Sequence, residues 1–556
     1  MNKWWQNETV YQIYPRSFND SNNDGTGDIK GITKKLDYFS YLGVTMLWLC
    51  PVYRSPMDDN GYDISDYEKI NPEFGTMADL DELIKKAKEH HIKIILDLVI
   101  NHTSDEHPWF KKALADPNSK YRDYYIFKPG VDNHAPNNWR SLFGGSAWEK
   151  VPNENNYYLH VFGKKQPDLN WENPAMKQDI YKMINWWLDK GIAGFRIDSI
   201  TFIKKDQDFA SLPADDNDGM VKVSKKTQNR PGIAKLLKEL KANTFEKHDC
   251  MTVGEAPGVP YDQFNDFIGP DGYFSMIFDF HYADVDVKNG NEWWDRPDWT
   301  PKQFKQLLFT SQMEIQKCGW SANFLENHDQ PRSISKLIKD KNYQNAIGAK
   351  ALAILLLSLR GTPFIYQGEE LGMTNFHRKD ISEFNDLSSI HNYHAAIEHG
   401  YSKQAAIHYV NLRSRDNTRT PYPWNNQQYG GFSQTKPWLE MSGNEDRINN
   451  AAQINDADSI LNFYKKLISI RNNSEYSDAL IHGDIKELTD VPDNVIGFSR
   501  HDQHHLDILI NFSNKEETVK NYTIKNLIID NYKDIKTTTS EIVLKPYQAI
   551  IFESEA

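Results

Sequence analysis

Hydrophobic and polar residues alternate in short runs along most of the chain, and longer runs with a helical period lie between them. Alternating or continuous short apolar runs predict strands, whereas apolar residues three and four positions apart predict helices. The predicted strands are 9–14, 45–49, 92–100, 193–197, 251–254, 275–280, 322–325 and 362–366. The predicted helices between them are 32–42, 80–90, 174–190, 233–245, 302–317 and 343–359. Eight strands that alternate with helices predict an α/β fold, a parallel (β/α)8 barrel.

Two regions depart from this alternation. From residue 103 to about residue 170 the chain is rich in Asn, Pro, Trp and Tyr and shows no clear period, which predicts a lid or a small inserted domain. The tail shows alternating Val and Ile between turn residues, which predicts an antiparallel β domain. The predicted domains are therefore 1–102 and 173–478 for the barrel, 103–172 for the insertion and 479–556 for the β domain.

Composition narrows the classes of function. The 556 residues are 39% hydrophobic and 13% aromatic, enough for a large core, and the net charge of -13 argues against nucleic acid and anionic membranes as partners. The three cysteines, Cys50, Cys250 and Cys318, are too far apart for a disulfide framework or a zinc motif. With no apolar leader segment, they indicate a cytoplasmic protein with free thiols.

The stretch 194–199, Gly-Phe-Arg-Ile-Asp-Ser, carries the first chemical signal. Successive side chains of a strand point to opposite faces, so Arg196 and Asp198 share one face. A neighbouring guanidinium keeps a carboxylate ionised, and an ionised carboxylate is what a covalent nucleophile requires. A structural ion pair at the end of a strand is the alternative explanation.

Other polar residues also stand where predicted strands end. Catalytic residues of parallel barrels occupy the C-terminal ends of strands. The candidates are Asp97, Asn101, His102, Arg196, Asp198, Glu255, His328 and Asp329. Three carboxylates at one barrel mouth indicate glycoside chemistry, which needs an ionised nucleophile and a protonated acid. Asp198 beside Arg196 is the predicted nucleophile, and Glu255, flanked by Val253 and Ala256, is the predicted acid.

These segments together resemble glycoside hydrolase family 13, the α-amylase family. The matching segments are 97–102 (DLVINH), 194–198 (GFRID), 252–255 (TVGE), 324–329 (FLENHD), 43–51 and 361–369. The resemblance implies a TIM barrel with an inserted B domain after strand three and a C-terminal β-sandwich. It also implies Asp198 as nucleophile, Glu255 as acid/base and Asp329 as transition-state stabiliser.

Within that family, segment 166–170 (QPDLN) resembles the signature of the oligo-1,6-glucosidase subfamily, and segments 414–421 and 436–439 are similar to parts of it. The resemblance implies a pocket in which Tyr62 stacks on the terminal glucose while Asp59 and Arg415 hold its far hydroxyls. Such a pocket implies exo action on short oligosaccharides. The substrate-binding residues implied by the resemblance are Asp59, Tyr62, His102, Phe162, Arg196, Ser199, His328, Arg332 and Arg415.

Segment 20–28 (DSNNDGTGD) has hard oxygen ligands at alternate positions, as a calcium loop does. An Asx-rich turn is the alternative. Similar subfamily members imply a structural Ca²⁺ held by the side chains of Asp20, Asn22, Asp24 and Asp28 and by the carbonyl of Thr26.

Four functions remain open. The first is an exo-acting α-glucosidase that works as a monomer. A sucrose isomerase of the same subfamily, a trehalose-6-phosphate hydrolase and a non-catalytic relative are the others.

Residue 199 also separates subfamily members, because Val there accompanies α-1,6 preference and Thr or Ala accompanies α-1,4 preference. Ser199 fits neither group, which predicts an α-1,6-leaning enzyme with relaxed linkage choice.

Overall fold

Eight strands form a closed barrel in the computed structural model, which describes residues 3–288, 292–538 and 540–554. Each barrel strand lies beside the next one along the chain, and the last lies beside the first. The barrel strands are Val10–Ile13, Met46–Leu49, Lys93–Val99, Gly194–Asp198, Met251–Glu255, Met276–Phe278, Ser321–Asn323 and Thr362–Tyr366. The predicted (β/α)8 barrel is therefore confirmed.

Helices follow the strands, and their ends show ordinary capping chemistry. Asn173 caps the helix that begins with Pro174, and Thr300 forms a capping box with Gln303, so both starts are encoded locally. The barrel helices include Ile29–Thr33, Leu36–Leu42, Met77–Glu89, Pro174–Asp189, Ser224–Thr227, Ile233–Asn243, Phe264–Ile268, Pro301–Cys318, Ser333–Leu337 and Ala346–Ser358. Further helices are Leu387–Glu398, Lys403–Arg413, Asp416–Arg419, Asn450–Ile454, Ile460–Asn473 and Ser477–Ile481.

One predicted helix proved to be two. Residues 32–42 were expected to form one helix, but Ile29–Thr33 and Leu36–Leu42 are separate. Asp28 begins the first helix by accepting a hydrogen bond from the Gly31 amide at 2.7 Å. Because an apolar period continues through such a break, the sequence pattern alone does not locate it.

The segment predicted as an insertion forms small sheets. It contains the helix Pro108–Ala115 and the strands Phe127–Pro129, Trp139–Arg140, Trp148–Lys150 and Asn156–Leu159. Trp139–Arg140 pairs in parallel with Val221–Lys222, which follows barrel strand four. Val221 and Val223 also share a buried core with Trp139 and Trp148. Residues 221–223 therefore pack against the insertion.

The C-terminal region is antiparallel, as predicted. One sheet contains Asp484–Glu487, Val495–His501, His505–Asn511, Ala549–Glu553 and Asn526–Asp530, and a second contains Glu517–Lys520, Glu541–Leu544 and Lys536–Thr537. A shared buried core joins Leu509 and Ile550 of the first sheet to Val519 and Ile542 of the second. Two sheets over one core make a sandwich.

The chain divides into two compact units, residues 1–47, 86–92 and 278–556, and residues 48–85 and 93–277. This division passes through the barrel and does not follow the predicted domain boundaries, which stay predictions. A short antiparallel pair, Tyr53–Arg54 with Asp66–Ile70, belongs to the second unit. Among the described residues, no helix combines the length and apolar character that crossing a membrane requires.

Candidate active site

Barrel strand four, Gly194–Asp198, is buried at every residue and carries the charged pair that the sequence singles out. Arg196 lies opposite Asp97 in the register with barrel strand three. The Nη1 atom of Arg196 is 2.6 Å from Asp198 Oδ1 and 2.6 Å from Asp97 Oδ1. Its Nη2 atom is 2.8 Å from Glu255 Oε2. One guanidinium therefore contacts three carboxylates from three neighbouring strands.

The charges in this group shift one another's protonation. Burial alone would lower the pKa of Arg196, but the charges of Asp97 and Glu255 raise that pKa well above its usual value. Burial raises the pKa of Asp97 to about 6, although the Arg196 charge lowers it. Asp97 Oδ2 also accepts hydrogen bonds from Trp48 Nε1 at 3.2 Å and from the Tyr62 hydroxyl at 3.0 Å. Asp97 is thus a buried anchor for Arg196 and Tyr62.

Glu255 has a charged partner in the structure. Its apolar neighbours in sequence predicted the protonated acid, and its Oε2 contacts the guanidinium of Arg196. The same oxygen accepts a hydrogen bond from the Ser199 amide at 2.8 Å. Ser199 has φ 44° and ψ 34°, a left-handed conformation that non-glycine residues rarely adopt. A strained turn after the predicted nucleophile therefore orients the predicted acid.

Four predicted substrate residues of the second unit are linked. Asp59 Oδ2 accepts a hydrogen bond from Gln166 Nε2 at 3.1 Å, and Gln166 also approaches His102. The Nε2 atom of His102 donates to the Tyr62 carbonyl at 3.1 Å, and the Phe162 ring lies 5.2 Å from the His102 ring. Burial lowers the pKa of His102 to about 4, so this imidazole is neutral and donates through Nε2.

A buried ion pair, Lys205 with Asp168, was not assigned from the sequence. Lys205 Nζ lies 2.7 Å from Asp168 Oδ2 and donates to Asn101 Oδ1 at 2.8 Å. Burial lowers the pKa of Lys205, although the Asp168 charge raises it. Asp168 belongs to segment 166–170, which resembles the subfamily signature, so the sequence did draw attention to it. Its partner Lys205 is 37 residues away along the chain, and no local pattern indicates the pair.

The first unit holds the third predicted catalytic carboxylate. Asp329 Oδ1 accepts hydrogen bonds from Arg419 Nη2 at 2.9 Å and from Arg415 Nη1 at 3.3 Å. His328 Nε2 lies 3.1 Å from Asp329 Oδ2, and Gln12 Nε2 donates to His328 Nδ1 at 2.8 Å. Arg419 is fully buried and was not singled out in the sequence. Asp329 is therefore held between two guanidinium groups and an imidazole.

Two arginines of the first unit differ in role from each other. Arg415 Nε contacts Asp386 Oδ1 at 2.6 Å, and this buried partner was also missed. Arg332 is fully buried, and its Nη1 contacts Glu326 Oε1 at 2.8 Å and the Gln367 carbonyl at 2.8 Å. These contacts join the Arg332 guanidinium to protein groups after strands seven and eight, and its predicted substrate contact stays a prediction.

The predicted calcium loop is closed by its own hydrogen bonds. Asp20 accepts four of them, from the amides of residues 22, 23 and 25 and from the hydroxyl of Ser433. Asp24 accepts from the Thr26 amide at 2.8 Å, and Asp28 caps a helix. Among the described residues no group of three or more His, Cys, Asp or Glu is arranged to hold a metal. The oxygen donors suit calcium chemically, and the site stays a prediction.

Comparisons with known proteins agree with this geometry. The profile of the family described as "Alpha amylase, catalytic domain" matches residues 12–483. The chain belongs to the α-amylase family of glycoside hydrolases. The oligo-1,6-glucosidase of Bacillus cereus is 40% identical over 99% of both chains. The trehalose-6-phosphate hydrolase of Bacillus subtilis is 40% identical over 99% of this chain and 98% of that protein.

Solved structures give the same result for the fold. The crystal structure of isomaltulose synthase from Klebsiella sp. LX3 matches all of both chains with a TM-score of 0.94 and 37% sequence identity. The predicted family is therefore confirmed. Of the three carboxylates in its family motifs, Asp198 and Glu255 end strands four and five, and Asp329 lies in the loop after strand seven.

Proposed function

We propose that this glycoside hydrolase is a retaining, exo-acting α-glucosidase that releases glucose from the non-reducing end of short α-glucosides. Its preferred substrates are isomaltose and related isomalto-oligosaccharides such as panose. The observation that carries the proposal is the single Arg196 guanidinium that contacts Asp97, Asp198 and Glu255. Two carboxylates on one guanidinium lie close together, which supports a retaining mechanism, since that mechanism needs a short separation of the two groups.

In the proposed reaction, Asp198 attacks the anomeric carbon and forms a covalent glucosyl-enzyme. Glu255 protonates the leaving oxygen and then removes a proton from the water that releases glucose, so the anomeric configuration is retained. Both the Arg196 guanidinium and the Ser199 amide contact Oε2 of Glu255, which supports Oε1 as the oxygen that carries the transferred proton. Asp329 accepts hydrogen bonds from sugar hydroxyls and favours the distorted ring.

The test is a panel of isomaltose, maltose, sucrose and trehalose-6-phosphate with glucose release as the readout. Hydrolysis of isomaltose, with maltose or sucrose slower, is the expected result. Preferred cleavage of trehalose-6-phosphate, or conversion of sucrose to an isomer without net hydrolysis, would contradict the proposal and favour the activities named for the relatives. NMR of the first glucose released must show the α anomer, since an inverted product excludes the double displacement.

Linkage choice is assigned to Ser199. Its hydroxyl side chain is small, so it leaves room for an α-1,4-linked leaving group, and Ser199→Val should raise the isomaltose-to-maltose ratio of kcat/KM by about 10- to 200-fold. The left-handed backbone at residue 199 disfavours a β-branched side chain such as Val. Ser199→Ala is the matched control for the loss of the hydroxyl. An unchanged ratio in Ser199→Val would remove position 199 from linkage choice.

We also propose a structural Ca²⁺ at residues 20–28 and a monomeric, cytoplasmic protein. The alternating oxygen donors support the first proposal, and three free cysteines support a reducing compartment. Chelation should lower Tm, because a ligand that binds only the folded state stabilises it. Asp24→Asn keeps the acceptor for the Thr26 amide and should reduce the calcium-dependent shift. An unchanged Tm after exhaustive chelation would reject the ion, and size-exclusion chromatography tests the monomer.

A further inference from the structure

The loop before Asp63 is closed by one buried carboxylate. Asp63 is fully buried, and its Oδ2 accepts a hydrogen bond from the Asp58 amide at 2.9 Å. Its Oδ1 accepts from the Asp59 amide at 3.0 Å and from the Ser55 hydroxyl at 3.0 Å. Two backbone donors of the loop and one side chain at its base thus converge on a single side chain.

The backbone of this loop is strained. Met57 has φ 68°, Asn60 has φ 51° and Gly61 has φ 103°. Left-handed conformations at non-glycine residues persist only where the surroundings hold them. The Met57 amide donates to the Ser55 hydroxyl at 2.9 Å, so the hydroxyl that contacts Asp63 also fixes the first strained residue. The Asp63 carboxylate is therefore at the centre of the hydrogen bonds that keep the loop in its strained conformation.

The same loop carries two residues that face the candidate site. The backbone amide of Asp59 donates a hydrogen bond to Asp63, and the Asp59 carboxylate contacts Gln166. Tyr62 precedes Asp63 and donates through its hydroxyl to Asp97, which in turn contacts Arg196. A shift of the 55–62 loop would therefore move the groups assigned to the terminal sugar while the strand that carries Asp198 stays in place.

We propose that Asp63 is the positioning residue of the terminal-sugar subsite, holding the strained 55–62 loop so that Asp59 meets the far hydroxyls of the glucose and Tyr62 stacks on its ring. This inference rests on the proposed function, since it assigns a residue to the subsite of that reaction. Burial raises the pKa of Asp63 to about 6, whereas the Asp58 and Asp59 amides lower it. An ionised carboxylate accepts all three hydrogen bonds, and an amide in its place does not.

The experiment compares Asp63→Asn with the matched control Asp58→Asn. Asp58 is exposed on the same loop and contributes only its amide to Asp63, so its variant loses the same charge and keeps the contact. For an aryl α-glucoside, Asp63→Asn should raise KM about tenfold and change kcat less than about threefold, because one buried donor loses its acceptor. Asp58→Asn should change neither value more than about twofold.

A second substrate separates positioning from general destabilisation. With aryl α-glucosides deoxygenated at position 4 or 6, wild type and Asp63→Asn should differ little in kcat/KM, since these substrates lack the hydroxyls that Asp59 holds. An equal loss on the parent and deoxy substrates, or a loss in kcat with KM unchanged, would overturn the proposal. If wild type cleaves no aryl α-glucoside, the proposed function fails instead.

Ser55→Ala covers the case in which Asp63→Asn does not fold. It removes one donor to Asp63 and the acceptor of the Met57 amide, and it leaves the carboxylate in place. The same selective rise in KM, smaller in size, is expected. A Ser55→Ala enzyme with wild-type KM on the parent substrate would contradict the role of this loop.

Discussion

The carboxylates around Arg196 and the carboxylate of Asp329 have different electrostatic settings. In the second unit, one guanidinium contacts three carboxylates, Asp97, Asp198 and Glu255. In the first unit, one carboxylate contacts two guanidinium groups, those of Arg415 and Arg419. The group around Arg196 has three acids for one cation, whereas the group around Asp329 has equal numbers of both, because Arg415 also contacts Asp386.

This difference separates the proposed chemical roles. Excess carboxylates compete for one cation, and this competition favours a proton on one of them, which a general acid requires. Two guanidinium groups give a carboxylate a fixed orientation through charge-assisted hydrogen bonds. Such a group suits hydrogen bonds to sugar hydroxyls, whereas the Asp198 and Glu255 pair suits covalent and proton-transfer steps. The predictions below test this contrast, from the largest expected effect to the smallest.

Asp198→Asn should reduce turnover by more than about 100-fold while the fold remains intact, because the amide has nearly the same shape but is a poor nucleophile. Far-UV circular dichroism and Tm provide the control for folding. A variant that keeps more than a hundredth of the wild-type kcat on isomaltose would contradict Asp198 as the nucleophile. It would also remove the proposed difference in role between the carboxylates around Arg196 and Asp329.

Glu255→Gln should lose general acid catalysis, with a larger loss on isomaltose than on an activated aryl α-glucoside. The aryl leaving group needs little protonation, so the effect of the acid, typically about 100- to 10,000-fold, is concentrated on the natural leaving group. Measured kcat/KM values for both substrates decide the matter. Equal losses on the two would argue against an acid at position 255.

Arg196→Gln should destabilise the fold by about 3–5 kcal/mol, because it leaves three carboxylates without their shared cation. Arg419→Gln should cost less, since Arg415 still contacts Asp329. Urea denaturation of both variants gives the two free energies of unfolding. If Arg419→Gln costs as much as Arg196→Gln, the two settings are not electrostatically different in the way proposed.

Mild acid should destabilise the second unit through His107. Burial lowers the pKa of His107 to about 4, and its Nδ1 accepts a hydrogen bond from the Trp109 amide. An unfolded histidine titrates near 6.5, so the unfolded chain binds more protons between pH 6.5 and 4. Stability is then fully present above pH 6.5 and is lost as pH falls towards 4, on the order of 3 kcal/mol.

His107→Asn keeps the acceptor at the start of helix Pro108–Ala115 and removes the titrating group. As pH falls from 7 to 4, the unfolding free energy of the variant should therefore rise progressively relative to that of wild type. Comparing the two proteins cancels the opposite contribution of Asp97, whose raised pKa favours the folded state at low pH. A pH-independent difference would contradict the buried neutral histidine.

The sequence predicted some parts of the site well. Arg196 and Asp198 were placed on one face by strand period alone, and their side chains are 2.6 Å apart. Positions after predicted strands also identified Glu255 and Asp329, because barrel strands are short and end where the apolar run ends. The apolar neighbours of Glu255 did not indicate its charged partner, since adjacent residues on a strand point to opposite faces and do not describe what surrounds a side chain.

Partners distant in sequence were not predictable in this way. Arg332 lies in the loop after barrel strand seven and contacts Glu326, whereas Arg419 ends the short helix Asp416–Arg419 and contacts Asp329. Nothing local distinguishes them, because each contact depends on how separate loops fold back. The pair of Lys205 and Asp168, and the packing of residues 221–223 with the insertion, have the same cause.

The sequence by itself determined the barrel, the C-terminal β domain, the family and the three carboxylates, because period, strand ends and motifs are local properties of the chain. Only the tertiary structure decided that Arg196 also contacts Glu255, that Arg419 contacts Asp329 and that Asp63 closes the loop of Asp59 and Tyr62. Those features are ion pairs and hydrogen bonds of buried groups, and burial is set by the packing of segments that are far apart in sequence.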